Sequence, residues 1–180
     1  MPEKLDFITP TVVRVLELFL THPQQTFHER EVMRRAKVSK GSANKILQML
    51  AELKLLTRER RGKMIFYKPN MKDPAVRQFK ILLNVWNLRN LTNTLGDVSR
   101  RIVLYGSCAE GNDVEESDID LYVNAIDKNV VKKKISEFNA KSTRRVAPII
   151  VDANELVGLK KEDRPLYDRI EKGVTLWESE

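Results

Sequence analysis

Leu104-Tyr105-Gly106-Ser107 and, after ten intervening residues, Asp118-Ile119-Asp120-Leu121 decide how this chain is read. Arg101-Ile102-Val103-Leu104-Tyr105 is an apolar run suited to a buried strand. Gly106-Ser107 turns the chain, and the second segment reads as another strand. Strand side chains alternate between faces, so Asp118 and Asp120 share one face, roughly 7 Å apart along the strand. Ile119 and Leu121 then point into a core. Such a pair suits Mg2+, a hard cation that keeps several waters and takes one or two carboxylates together with the phosphate oxygens of a substrate. Gly106 has no Cβ and lets a triphosphate approach the backbone; Ser107, at the start of a helix, offers a hydroxyl and N–H groups. Asp118 and Asp120 are therefore the candidate metal and catalytic residues. Gly106 and Ser107 are the candidate nucleotide-binding residues, with Mg2+ and an NTP as the expected cofactors.

Gly106-Ser107 with Asp118-Ile119-Asp120, together with Ala109-Glu110-Gly111 and Ser117, resembles the signature of the polymerase-β-like nucleotidyltransferases, and in particular their minimal bacterial and archaeal branch. The resemblance covers roughly residues 97 to 178 and implies a small α+β domain with a mixed sheet that transfers NMP from an NTP to a hydroxyl. Two departures qualify that activity. Basic residues are usual in this branch where Cys108 and Glu110 stand. The resemblance also implies a third carboxylate on a later strand, here Val146-Ala147-Pro148-Ile149-Ile150-Val151, and spacing from Glu155-Leu156 puts that position at Ile149. Asp152 follows at the strand end on the opposite alternation phase, and Asp113 and Asp127 lie in loops. An enzyme of this class works by positioning and by metal stabilisation of the transferred group. Without the third carboxylate, turnover is expected to suffer while Mg-NTP binding is retained.

The net charge of +7 is unevenly spread. Residues 1–70 hold 14 Lys and Arg against 7 Asp and Glu, whereas residues 71–180 hold 18 against 18. A basic segment beside a neutral one points to a polyanionic partner for the first. Within it, Thr11 to Leu20 carries apolar residues at helical spacing up to His22-Pro23, and a short helix is expected over Glu29 to Ala36. Lys37-Val38-Ser39 turns the chain, with Ser39 as N-cap of a third helix whose Ala43, Ile46, Leu47, Leu50 and Leu53 share a face. Two β-like segments, Leu55 to Glu59 and Met64 to Lys68, flank Arg60-Arg61-Gly62-Lys63.

This order, over roughly residues 8 to 70, resembles a winged helix-turn-helix domain of the MarR and ArsR kind. The resemblance implies double-stranded DNA as partner, with the third helix in the major groove and the hairpin wing against phosphates. Lys40, Ser42, Asn44, Lys45 and Gln48 are the helix candidates: Asn44 and Gln48 suit an adenine edge and Lys45 a guanine. Arg58, Arg60, Arg61 and Lys63 suit phosphate contacts, which give salt-sensitive affinity without sequence information.

The expected fold class is thus α/β with two domains: a winged helix-turn-helix over 1–70, a linking helix over 71–96 and a nucleotidyltransferase-like domain over 97–180. Pro74 opens the linking helix and Gly96 stops it. Its apolar stripe of Val76, Phe79, Leu82, Leu83, Trp86 and Leu91 suits packing on the C-terminal sheet or a homodimer interface. Trp86 and Trp177 are expected in a core, and Lys132-Lys133-Lys134 on a solvated helix face. No apolar run approaches the roughly 20 residues of a membrane span, and Met1-Pro2-Glu3-Lys4 does not open as a secretory signal. The single Cys108 forms no internal disulfide, so a cytoplasmic location is expected; with His22 and His28 it makes no zinc site.

Three functions fit these features. The first is a DNA-binding regulator whose nucleotidyltransferase-fold domain binds Mg-NTP with little turnover. The second is a working nucleotidyltransferase acting on a protein or small-molecule hydroxyl. The third is an antitoxin-like partner of a HEPN-domain toxin, since minimal nucleotidyltransferases commonly pair with such proteins.

Overall fold

The computed structural model describes residues 5–179; the N-terminal tetrapeptide considered for a secretory signal lies outside them. The chain divides into two compact units, Met1–Lys80 and Ile81–Glu180.

In the first unit, Thr9 caps α1 (Pro10–Thr21), its hydroxyl accepting the Val12 N–H, with Pro10 in the first turn. A two-residue strand, β1 (Phe27–His28), runs straight into α2 (Glu29–Arg35), where His28 and Glu31 form a reciprocal capping box. Lys37, at φ 52°, makes the tight turn to α3 (Lys40–Glu52), and Ser39 caps that helix by accepting the Ser42 N–H. The hairpin β2 (Leu56–Arg61) and β3 (Met64–Pro69) follows, with Arg61 opposite Met64 and Gly62 at φ 61° in the two-residue turn. β1 adds to its edge in the order β1-β3-β2. Val15, Phe19, Val32, Ala43, Leu47 and Leu50 are fully buried, with Phe19 edge-on to Phe27 at 5.4 Å between ring centres. This is a winged helix-turn-helix.

The helix α4 (Pro74–Gly96) is continuous, and the boundary between the units falls within it, after Lys80. Lys80 is buried and donates its Nζ to the Leu20 carbonyl at 2.6 Å, so the end of α1 is tied to the first turns of α4.

The second unit holds a mixed sheet in the order β6-β5-β4-β7. β4 (Ser99–Leu104) lies antiparallel to β5 (Ile119–Ala125) and to β7 (Val174–Glu178), while β6 (Val146–Val151) runs parallel to β5. Between β4 and β5 a five-residue helix, α5 (Gly106–Glu110), ends on Gly111 at φ 69°. One face of the sheet, through Ile102, Leu104, Ile119, Leu121 and Val123, packs on Leu88, Leu91 and Leu95 of α4 and on Val131 and Ile135 of α6 (Lys128–Asn139). The other face, through Val103, Tyr105 and Tyr122, is covered by α7 (Ala153–Glu162) and by α8 (Arg164–Glu171), whose Ile170 is fully buried.

The structure corrects three expectations. The second strand begins at Ile119, so Asp118 immediately precedes it. Trp86 and Leu82 are exposed, at 62% and 59%, because they lie on the side of α4 opposite Leu88, Leu91 and Leu95. Trp177 is also partly exposed, on β7, with its indole lying flat over Gly96, where an added Cβ would come within 3.1 Å of the ring.

Candidate functional site

Asp120 is the second residue of β5 and points to the face that carries Tyr105 and Tyr122. Its carbonyl accepts the Tyr105 N–H at 3.1 Å, which ties the end of β4 to the carboxylate strand. Gly106, at φ 67°, follows directly; a Cβ there would collide with Asp120 Oδ2. The glycine is therefore needed first by the carboxylate itself, a tighter requirement than the phosphate approach that its sequence context suggests. Ser107 lies in the first turn of α5, half-buried.

Burial pushes the Asp120 carboxyl above the usual carboxylate range; the Arg169 guanidinium pulls it back and the charge of Asp118 pushes it further up. The half-buried Asp120 and the exposed Asp118 are two hard oxygen donors of the kind Mg2+ takes, and a cation there would offset the charge of Asp118 on Asp120. Among the described residues no group of three His, Cys, Asp or Glu side chains could hold a metal.

The register of β5 against β6 shows which β6 residues lie beside the carboxylate strand. Asp120 lies opposite Ala147, and Ile149 lies two residues further on, opposite Tyr122. The strand residue beside the carboxylate is therefore Ala147 rather than Ile149. The alternative carboxylates serve the fold instead. Asp152 caps α7 by accepting the N–H groups of Asn154 and Glu155, and Asp127 caps α6 through Asn129 and Val130. Asp113, fully buried, takes Nη1 of Arg144 at 2.9 Å and Nδ2 of Asn84 at 2.9 Å.

Arg144 is the hub of this second half of the site. Its Nε and Nη2 donate to the Ser117 carbonyl at 3.2 and 3.0 Å, and Nη2 also reaches Cys108 Sγ at 3.2 Å. Cys108 Sγ in turn lies 3.7 Å from the Asp118 carbonyl. One guanidinium thus holds the loop that delivers the carboxylates. Burial is the main cause that pushes the Cys108 thiol up, so it stands as a neutral packing group.

In the winged helix, Lys40, Asn44 and Gln48 of α3 and Lys63, Met64 and Ile65 of the hairpin line one groove of about 470 Å3. Lys45, Arg58, Arg60 and Arg61 are exposed outside that lining. Arg60 Nε donates to the Gly62 carbonyl at 3.1 Å, and Arg61 pairs with Glu59 at 2.8 Å while lying over the Phe66 ring. Two helix candidates carry internal duties. Ser42 closes the Ser39 cap, and Asn44 donates Nδ2 to Glu29 Oε2 at 2.7 Å. Glu29 also lines the groove, so it holds an acceptor-rich carboxylate among the cations.

Residues 88–180, more than half of the chain, match the family described as polymerase beta, nucleotidyltransferase. The chain belongs to the polymerase beta nucleotidyltransferase family. No curated protein matches it. Among solved structures it is similar to a "possible transcriptional regulator" from Methanosarcina mazei Go1, at 16% identity and TM-score 0.37 over 49% of this chain and 78% of that one. It is also similar to a zinc-responsive MarR family member from Lactococcus lactis, at 18% identity and TM-score 0.39 over 54% of this chain and 67% of the other. An archaeal chromatin protein matches at 13% identity and TM-score 0.34, over 94% of this chain and 72% of that one. These likenesses are weak, and the winged helix stands on its own elements.

In this nucleotidyltransferase domain two arginines escape sequence reading. Arg169 acts on Asp120 from α8, some fifty positions along the chain, and Arg144 sits in the loop before β6 with no motif around it. Their neighbours, Thr143 and Arg145 for the one and Asp168 and Ile170 for the other, are of a kind that many surface positions share. Among the described residues no helix is long and apolar enough to cross a membrane.

Proposed function

We propose that this chain is a double-stranded-DNA-binding regulator whose nucleotidyltransferase domain holds Mg-NTP with little or no transfer. The observation that carries the DNA reading is the groove that collects Lys40, Asn44 and Gln48 of α3 with Lys63 of the wing, in the segment that holds all of the excess positive charge. A helix N-terminal half and a wing that share one concave surface suit a major groove and its flanking phosphates. Lys45 and Gln48 are the side chains free to read base edges, and Asn44, held by Glu29, presents its amide in a fixed orientation.

Asp118 and Asp120 would hold the metal, with Gly106 and Ser107 beside the nucleotide. The bound metal would neutralise phosphate charge. The apolar Ala147 beside Asp120 supports binding over turnover, since no carboxylate lies across from Asp120 to activate an acceptor hydroxyl. The same feature disfavours the reading as a working transferase. A HEPN-like partner, or a homodimer through the exposed Leu82 and Trp86, is not needed for this account.

The test is selection from a random duplex library by the full chain. An enriched sequence is expected, altered when Lys45 or Gln48 is changed to Ala. If no sequence enriches and neither substitution matters, base reading by α3 is wrong.

A further inference from the structure

We propose that the cavity between α4 and the C-terminal end of α6 is an effector site for a small organic anion with an apolar body. It encloses about 420 Å3, a size suited to a ligand of that kind. Its floor is apolar: Leu88 of α4, Ile119 of β5 and Phe138 of α6. Its polar rim is formed by Asn87, Lys141 and Arg144.

The charges of this rim are unequal. Arg144 is neutralised by the buried Asp113, and its N–H groups are engaged with Ser117, Asp113 and Cys108. Asn84, deeper in the wall, spends its amide on Asp113 and the Cys108 carbonyl. Lys141 is exposed and has no ion-pair partner among the described residues, so the cavity mouth carries one uncompensated positive charge. An anionic group at Lys141 leaves the rest of a ligand against Leu88, Ile119 and Phe138. Asn87 remains available for one hydrogen bond.

The walls explain why occupancy would be felt elsewhere. Ile119 separates Asp118 from Asp120 in the chain and faces this cavity, while Asp120 faces the opposite side of the sheet. Arg144 and Cys108 line the cavity and hold the carbonyls of Ser117 and Asp118. A ligand here presses on the segment that carries the carboxylates without entering their site. Binding itself is independent of the metal reading; only its consequence for nucleotide rests on that reading.

Naphthalene-2-sulfonate is a suitable probe, an anion with a bicyclic apolar body. Added to the 15N-labelled full chain, it is expected to shift the Asn87 side-chain amide and the backbone amides of 141–144 in a saturable way, and those of Ser117 and Asp118 with them. Lys141→Glu, at an exposed position, should weaken binding about tenfold by turning attraction into repulsion. Asp118→Asn should leave the affinity unchanged, which separates this site from the carboxylate site. No saturable shift at Asn87, or undiminished binding in Lys141→Glu, overturns the site. Shifts that stop short of Ser117 and Asp118 overturn its role as an effector site.

Discussion

The carboxylate of Asp120 fills the space that a Cβ on Gly106 would need, and Gly106 adopts φ 67° beside it. Glycine is required here twice, by backbone angle and by volume. Gly106→Ala is expected to destabilise the domain by about 1–2 kcal/mol from the left-handed conformation alone. It should also displace Asp120 and abolish Mn2+ binding measured by paramagnetic broadening. Unchanged metal binding in a folded Gly106→Ala protein would separate the glycine from the site.

Asp120 gives a pH signature. Its folded-state pKa is raised, chiefly by burial, above the ordinary 3.8, so the protonated form is favoured by folding. That contribution to stability is complete below the ordinary value and is lost as pH rises through the raised one. Asp120→Asn removes the titration. Its Tm should exceed that of the wild type at neutral pH, and the difference should shrink as pH falls towards 3.8. Mg2+ should raise the Tm of the wild type and leave that of the variant unmoved.

Arg144 is expected to matter more for folding than its partial exposure suggests. Arg144→Ala takes a guanidinium away from the fully buried Asp113, and breaking a buried pair of this kind costs about 3 kcal/mol or more. Urea denaturation checks this. Asp113→Asn with Arg144→Met should recover part of the loss, because both charges leave together.

Ala147 offers a gain-of-function test. Placed opposite Asp120, Ala147→Asp would add a third carboxylate on the face where the family resemblance implies one. Transfer of label from α-phosphate-labelled ATP to protein acceptors in a lysate should be near background for the wild type and rise in the variant. Ile149→Asp, opposite Tyr122, should do less. Strong metal-dependent transfer by the wild type, lost in Asp118→Asn, would contradict the proposed weak turnover.

Much of this architecture was legible in the sequence, for identifiable reasons. Gly106, Ser107, Asp118 and Asp120 lie close in the chain, which makes the motif readable, but the strand starts at Ile119 and alternation therefore does not extend to Asp118. Ser39 marks the start of α3 by a local hydrogen bond, which follows from the residues themselves. What depended on pairing between distant segments was not legible. Counting back from Glu155 points to Ile149, but the β5–β6 register cannot be read along a single strand, and only the ladder shows that Ala147 is the residue opposite Asp120. Trp86 sits in a helix whose apolar residues spread over more than one side, so periodicity could not tell its exposed side from the side of Leu88. The bond from Asn44 to Glu29 joins two helices across a turn. Arg144 and Arg169 reach the carboxylate region only through the packing of β6 and α8.

The central claim is that the basic winged helix binds duplex DNA, and its salt dependence tests this most directly. Anisotropy of a labelled duplex, titrated with the full chain across a range of salt, should give a log–log slope near −4, as expected for four to five phosphate contacts at about −0.9 each. Changing Arg60 and Arg61 to Ala should reduce that slope by about 2. An affinity indifferent both to salt and to those two substitutions would contradict the account.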